Sequence, residues 1–196
     1  MDYQALLDKY YPATDDGGSS EEQTAEPGLQ AMAALRPLLL RHSRQVADRC
    51  LLICDRHPEL HLDRQFLEEA AMLHDIGVRW CYAPGICCHG TEPYLRHGII
   101  GAELLRCEGW ERHARVAERH TGTGLTRRQI ESQGLPLPAR DFVPESLEEQ
   151  VVCYADKFYS KSSPDRVRSV AETAESLEKF GHEGVEAFLG WAKLFE

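Results

Sequence analysis

The chain has 196 residues, which favours one domain that can bury a sizeable core without disulfide bonds. Its net charge of −10 argues against a broad surface for nucleic acid polymers or anionic membranes. No apolar run reaches the roughly 18 residues of a transmembrane helix, and the N-terminus lacks the apolar stretch of a secretory signal. The seven cysteines are therefore expected to be reduced thiols in a cytoplasm.

Apolar residues recur with a helical period along most of the chain, and strand signals are nearly absent. The sequence therefore predicts an all-α domain with loops at 82–93 and at the glycines of 121–126. In chain order, the expected helices are 2–11, 29–35, 37–56, 63–75, 94–107, 110–120, 126–132 and 145–161, with one or two more after Pro164.

An acidic segment separates the first expected helix from the rest. Residues 13–26 carry five acids and no base, and their Gly, Ser and Glu content is typical of a flexible loop. We therefore divide the chain into 1–27, a short helix plus an acidic flexible segment, and 28–196, the helical domain with its C-terminal helices. The amphipathic terminal helices are compatible with a homodimer.

Several histidines fall on apolar helix faces, because residues three and four apart share a face. His42 follows the stripe of Leu39 and Val46, and His74 closes an apolar helix. A lone inward histidine is more often a hydrogen-bonded core residue than a metal ligand. Asp156 is harder to explain, since a buried carboxylate costs several kcal/mol unless it is paired or binds a metal.

The order of the motifs is more specific than any one of them. His42 is followed by HDIG at 74–77, RHG at 96–98, ERHTGTG at 118–124 and YADK at 154–157. Over residues 34–162 this series resembles the HD-domain metal-dependent phosphohydrolases. It is similar to HD-type diadenosine tetraphosphate hydrolases and to an uncharacterised group of small HDIG proteins. The Gly-Tyr-Pro signature of HD-GYP phosphodiesterases is missing after His120.

The resemblance implies a helical bundle with a metal site in its core. It also implies one or two divalent ions (Fe, Mn, Ni, Co, Zn or Mg) and a set of ligands. The primary ligands would be His42, His74, Asp75 and Asp156, with Asp75 bridging wherever two ions bind. By position and local sequence, His97 and His120 match the ligands of a second ion.

Hydrolysis of a phosphate ester also needs positive charge beside the phosphoryl oxygens. Arg79 and Lys157 are candidates for a catalytic role together with Asp75. The residues expected to contact substrate are Arg96, Arg119 and Arg128. Each cation is also compatible with a solvated surface charge. Glu118 could orient a ligand histidine or be a surface acid.

The function expected from these residues is hydrolysis of a nucleotide or another small phosphorylated metabolite by a metal-activated hydroxide. One alternative is a metal-occupied regulatory protein that binds a nucleotide with little turnover. Another is oxygenase chemistry on a di-iron centre, which some HD-like proteins perform.

Overall fold

A computed structural model of the chain describes residues 2–13, 27–178 and 181–196, with side chains described from residue 32 in the second range. Its architecture is the expected all-α bundle. The helices are Tyr3–Tyr10 (α1), Pro27–Arg56 (α2), Arg64–Leu73 (α3), His97–Cys107 (α4), Glu111–Arg119 (α5), Arg127–Gln133 (α6), Leu147–Asp156 (α7), Val170–Leu177 (α8) and His182–Phe195 (α9). In the described ranges no helix is long and apolar enough to cross a membrane. The acidic segment lies almost wholly outside those ranges.

The start of α2 and the end of α7 differ most from the sequence prediction. We expected a helix starting at Pro37, but α2 runs unbroken through it from Pro27. Proline removes one backbone donor, and here the helix continues despite the lost bond. The last ligand helix, α7, ends at Asp156 rather than at Lys161. The residues just after Asp156 therefore turn back towards the core.

The predicted loop at 82–93 is wrong in part, because it holds a small three-stranded sheet. Its strands are Cys81–Ala83 (β1), Cys88–His89 (β2) and Glu92–Pro93 (β3), in the order β2-β1-β3. β1 pairs antiparallel with β2 and parallel with β3. Strands of two or three residues are too short to show alternation in the sequence.

The core is built where α2, α3 and α7 pack together. Leu39, Leu67 and Val152 are fully or almost fully buried there. The N-terminal helix is fixed to this core, because the Tyr11 hydroxyl donates to the Ile76 carbonyl at 2.8 Å. Ile76 directly follows Asp75, so the first helix braces the segment that carries the HDIG motif.

Local capping begins the helices where the sequence indicated. A carboxylate oxygen of Asp63 accepts from the backbone N–H of Phe66 at 3.0 Å and starts α3. The side chains of Thr126 and Gln129 cap each other's backbone at the start of α6. These caps satisfy N–H groups that the first turn of a helix leaves unpaired.

Candidate metal centre

The six predicted metal ligands come together in the core from five helices. His42 lies inside α2, and the other five lie at helix ends. They form two overlapping groups whose ligand atoms lie within 4.8 Å of one another: His42, His74, Asp75 and Asp156, and then Asp75, His97 and His120. Five of the six are buried, and the side chain of Asp156 is 14% exposed.

Asp75 belongs to both groups through different oxygen atoms. Its Oδ2 lies 2.9 Å from Nε2 of His74 and 3.3 Å from Nε2 of His42. Its Oδ1 lies 3.4 Å from Nε2 of His97 and 3.5 Å from Nε2 of His120. One carboxylate therefore faces a separate histidine pair with each oxygen, which is the arrangement of a bridging ligand.

Backbone carbonyls orient three of these imidazoles. Nδ1 of His74 lies 2.6 Å from the carbonyl oxygen of Ala71, and Nδ1 of His120 lies 2.7 Å from that of Ala117. His97 makes the same contact, at 2.6 Å, with the carbonyl three residues before it. An Nδ1–H that donates to a carbonyl leaves the Nε2 lone pair directed into the cluster.

The inner nitrogens are close enough to share a proton or a metal ion. Nε2 of His97 and His120 are 3.0 Å apart, and Nε2 of His42 and His74 are 3.3 Å apart. Facing lone pairs at these distances repel one another unless a proton or a metal ion lies between them. The donor set, all imidazole nitrogen and carboxylate oxygen, suits Mn, Fe, Co, Ni or Zn.

The carboxylates of the centre attract positive charge. Burial opposes ionisation of Asp75, but the charges of His74 and Lys161 outweigh it and hold the pKa of that carboxyl well below its usual range. Burial would also lower the pKa of His74, yet the carboxylates of Asp75 and Asp156 raise it to about 9. Burial is the main reason why the pKa of His97 falls to about 3.

Glycines let the ligand-bearing segments approach closely. A Cβ atom on Gly77, in the HDIG motif, would lie 2.1 Å from the carbonyl oxygen of His97. One on Gly98, in the RHG motif, would lie 2.5 Å from the carbonyl oxygen of Ala117. Since any larger residue would force these segments apart, both glycines are required by the short distances around Asp75.

The structure places two of the predicted arginines on other partners. Arg79, expected to be catalytic, donates to the backbone carbonyl of Tyr10 and stacks on Trp80, with 5.0 Å from its guanidinium carbon to the ring centroid. Arg96 pairs with Glu92 at 2.9 Å. These guanidinium groups hold surface segments together in the structure, and their roles in catalysis and substrate binding stay predictions.

The other two arginines also lie away from the cluster. Arg119 is buried, and it pairs with Glu145 at 2.7 Å and with Glu149 at 3.4 Å. The side chain of Arg128 is 85% exposed and lies 3.7 Å from Glu183. The expected substrate contacts of Arg119 and Arg128 stay predictions that these positions do not support. The sequence placed them near ligands but could not show which way their side chains extend.

Two lysines supply positive charge at the centre, and sequence reasoning found one of them. Lys157 donates to Oδ2 of Asp156 at 2.6 Å and to the carbonyl of His120 at 3.0 Å, so it joins the two ligand groups. The ammonium of Lys161 contacts Oδ2 of Asp75. Lys161 was missed because a helix continuing to residue 161 would have carried it past the site.

Among the described residues, two cavities reach the centre, and both are lined in part by Tyr94, Asp156 and Tyr159. We call the first the lysine cavity; its volume is about 420 Å³, and its lining includes Lys161, Ser160 and Ser162. We call the second the apolar cavity; its volume is about 460 Å³, and its lining includes Leu125, Leu135 and Leu177. The cluster is therefore accessible to a small molecule, unlike a closed structural metal site.

The carboxylate of Glu118 has a structural role. It is buried and accepts from Arg106 at 3.0 Å and from Arg140 at 2.9 Å. Burial opposes its ionisation, but the hydrogen bonds from these two arginines outweigh burial and lower its pKa. Neither expectation for Glu118 holds, since His120 is oriented by a backbone carbonyl instead.

We expect Glu118→Gln to destabilise the fold by about 2 kcal/mol at neutral pH while leaving metal content unchanged. The loss is less than for a fully buried ion pair, because both arginines are partly exposed. Because the pKa of Glu118 is lower in the folded protein than in the unfolded chain, its ionised form stabilises the fold at pH values above the ordinary carboxyl pKa. The difference from wild type should therefore shrink as pH falls below about 4. Urea unfolding across pH measures it, and a constant difference would contradict the ion-pair explanation.

A model of the HD domain family matches residues 39–160. The chain belongs to this family. The matched part of this HD domain contains all six clustered ligands and ends just before Lys161. The family expected from the ordered motifs is thereby confirmed.

Relatives and solved structures cover different shares of this HD-domain chain. It is 36% identical over 124 residues to an uncharacterized protein of Methanocaldococcus jannaschii, covering 58% of the chain and 66% of that protein. It is 33% identical over 142 residues to a tRNA (cytidine(56)-2'-O)-methyltransferase of Picrophilus torridus, covering 72% of the chain and 36% of that protein. The chain thus spans about a third of that methyltransferase.

Among solved structures, the HD domain of the L. monocytogenes phosphodiesterase PgpH aligns with a TM-score of 0.47 and 14% identity. The alignment covers 84% of this chain and 94% of that one.

Proposed function

We propose that the protein is a metal-dependent phosphohydrolase that acts on a nucleotide or another small phosphorylated metabolite. The observation that carries this proposal is the position of Asp75, with one carboxylate oxygen towards each histidine pair. A divalent ion at such a site supplies a hydroxide nucleophile near neutral pH and neutralises charge on phosphoryl oxygens.

The chain's own residues fit this reaction. Asp156 is the least buried ligand, and it faces both cavities, so a substrate phosphate can approach the cluster from that side. Lys161 lines the lysine cavity with Ser160 and Ser162. We infer that its ammonium binds a phosphoryl oxygen, and that Lys157 mainly holds Asp156 in position.

Metal analysis and a turnover screen test the proposal together. The protein is purified without oxygen, its metal content is measured, and phosphate release is followed with a panel of nucleotides and sugar phosphates. We expect metal-dependent release of phosphate that stops when a chelator removes the ions. Tight nucleotide binding without turnover would support a regulatory protein instead, and substrate-dependent oxygen consumption would support a di-iron oxygenase.

Replacing Lys161 tests the phosphate contact separately from metal binding. We expect Lys161→Met to lower kcat/KM by about 10- to 100-fold, since a charge-assisted hydrogen bond to phosphate is worth roughly 1.5–3 kcal/mol. Metal content should not fall, because Lys161 is not a ligand. Lys161→Arg should restore part of the rate.

Lys193→Met, at an exposed position on α9, is the matched control for lost charge and should behave as wild type. Unchanged kcat/KM in Lys161→Met would remove Lys161 from the substrate site.

A further inference from the structure

The apolar cavity is built partly by segments outside the region that the HD family shares. One wall is the glycine turn that follows His120. Another wall includes Ser176 and Leu177 of α8 and Gly184 of α9, which lie beyond residue 160. This part of the cavity therefore belongs to the chain's own C-terminal helices and not to the matched HD core.

These C-terminal helices are firmly fixed to the helix that carries Asp156. The rings of Phe188 and Phe195 on α9 pack against Tyr154 on α7, with centroids 5.1 and 5.5 Å apart. A Cβ added to Gly184 would lie 3.0 Å from the Thr123 hydroxyl, so α9 also approaches the glycine turn. The cavity wall is thus part of the folded core, as expected of a pre-formed ligand site.

The lining of this cavity combines two kinds of chemistry. Leucine side chains and the rings of Tyr94 and Tyr159 give it an apolar character. Lys157 and Arg168 add positive charge, and Arg168 donates to the Lys157 carbonyl at 3.4 Å. Gln133 adds a carboxamide from α6. The lining therefore suits a ligand with an anionic end and a largely apolar body that carries a few hydrogen-bonding groups.

We infer that the apolar cavity binds the nucleobase of a nucleoside phosphate whose phosphate lies at the metal centre. This inference rests on the proposed function, since it places the phosphate beside the ligand cluster. A flat base covers apolar walls and can pair its edge with amide and hydroxyl groups, whereas a sugar phosphate would leave those walls wet. The volume of about 460 Å³ is within the roughly 300–1,000 Å³ of small-molecule pockets.

Binding measurements on the metal-loaded protein test this assignment without relying on turnover. Four probes are compared by calorimetry with Mn²⁺: adenosine monophosphate, ribose phosphate, hexyl phosphate and inorganic phosphate. We expect adenosine monophosphate to bind at least tenfold more tightly than each of the others. Equal affinities for adenosine monophosphate and ribose phosphate would overturn the base site, and a preference for hexyl phosphate would identify an alkyl site instead.

Two variants each place a ring on the cavity lining from a different helix, so that the test survives if one fails to fold. We expect Ser176→Phe on α8 and Gln133→Phe on α6 each to weaken the binding of adenosine monophosphate at least tenfold. The binding of inorganic phosphate should weaken less than twofold. Glu175→Phe adds the same ring at an exposed position of α8 and should change neither affinity. Equal weakening of both probes in the filled variants would overturn the assignment.

Phosphate release, recorded separately, distinguishes the two proposals. Preferential binding of the nucleotide without any hydrolysis would contradict the proposed phosphohydrolase activity and would still support the base site. Hydrolysis of the three phosphate esters at the same rate, with no base preference in binding, would contradict the base site and support the phosphohydrolase.

Discussion

Asp75→Asn is expected to abolish phosphohydrolase activity and to remove ions from both metal positions. The amide keeps the shape of the carboxylate but loses its charge, and its NH₂ group would face one of the two histidine pairs as a donor. Since the carboxylate faces both pairs, the change weakens both positions at once. The bound ions are expected to stabilise the transition state of hydrolysis by several kcal/mol. Losing that stabilisation corresponds to at least about a thousandfold slower turnover.

Metal content by mass spectrometry, phosphate release and circular dichroism measure the three consequences. The helices should persist, although the melting temperature should fall, because bound metal stabilises the native state. Asp63→Asn is the matched control near the same helix, where asparagine caps a helix about as well as aspartate. An Asp75→Asn protein that kept both ions would show that Asp75 is not the bridging ligand.

The sequence predicted the ligand-bearing faces well, because helical spacing is regular. His42, His74 and Asp156 fall on stripes of apolar residues, and the core buries those stripes. A buried carboxylate among inward imidazoles has few chemical explanations other than a cation. The convergence of the six residues could be expected from their motifs, although no distance between them could.

The surroundings of the site were harder to predict, because they depend on how side chains extend after helices end. Lys161 reaches Asp75 only because α7 stops five residues earlier than its periodicity indicates. Arg79 is nearer to the ligands in sequence, yet it turns to the first helix. Long cationic side chains can place their charged groups several ångströms away in different directions. Their partners are therefore decided by tertiary packing and not by spacing along the sequence.

The prediction that the centre holds two separate metal ions can be tested directly. His97 and His120 face Oδ1 of Asp75, and the primary group uses Oδ2. We expect wild-type protein to bind two divalent ions per chain, and the double variant His97→Ala, His120→Ala to keep about one. The rate should fall by several orders of magnitude, because the second ion would no longer help to generate and orient the hydroxide.

The chain offers a matched control for this double variant on the same helix as His120. His113 lies on α5 and pairs with Glu69 at 3.0 Å, outside the cluster, so His113→Ala should keep both ions and most of the rate. If His97 and His120 were instead core residues around one ion, stoichiometry would be one in all three proteins, and only stability or KM would change. A wild-type stoichiometry of one, measured without oxygen at saturating metal, would exclude the second position.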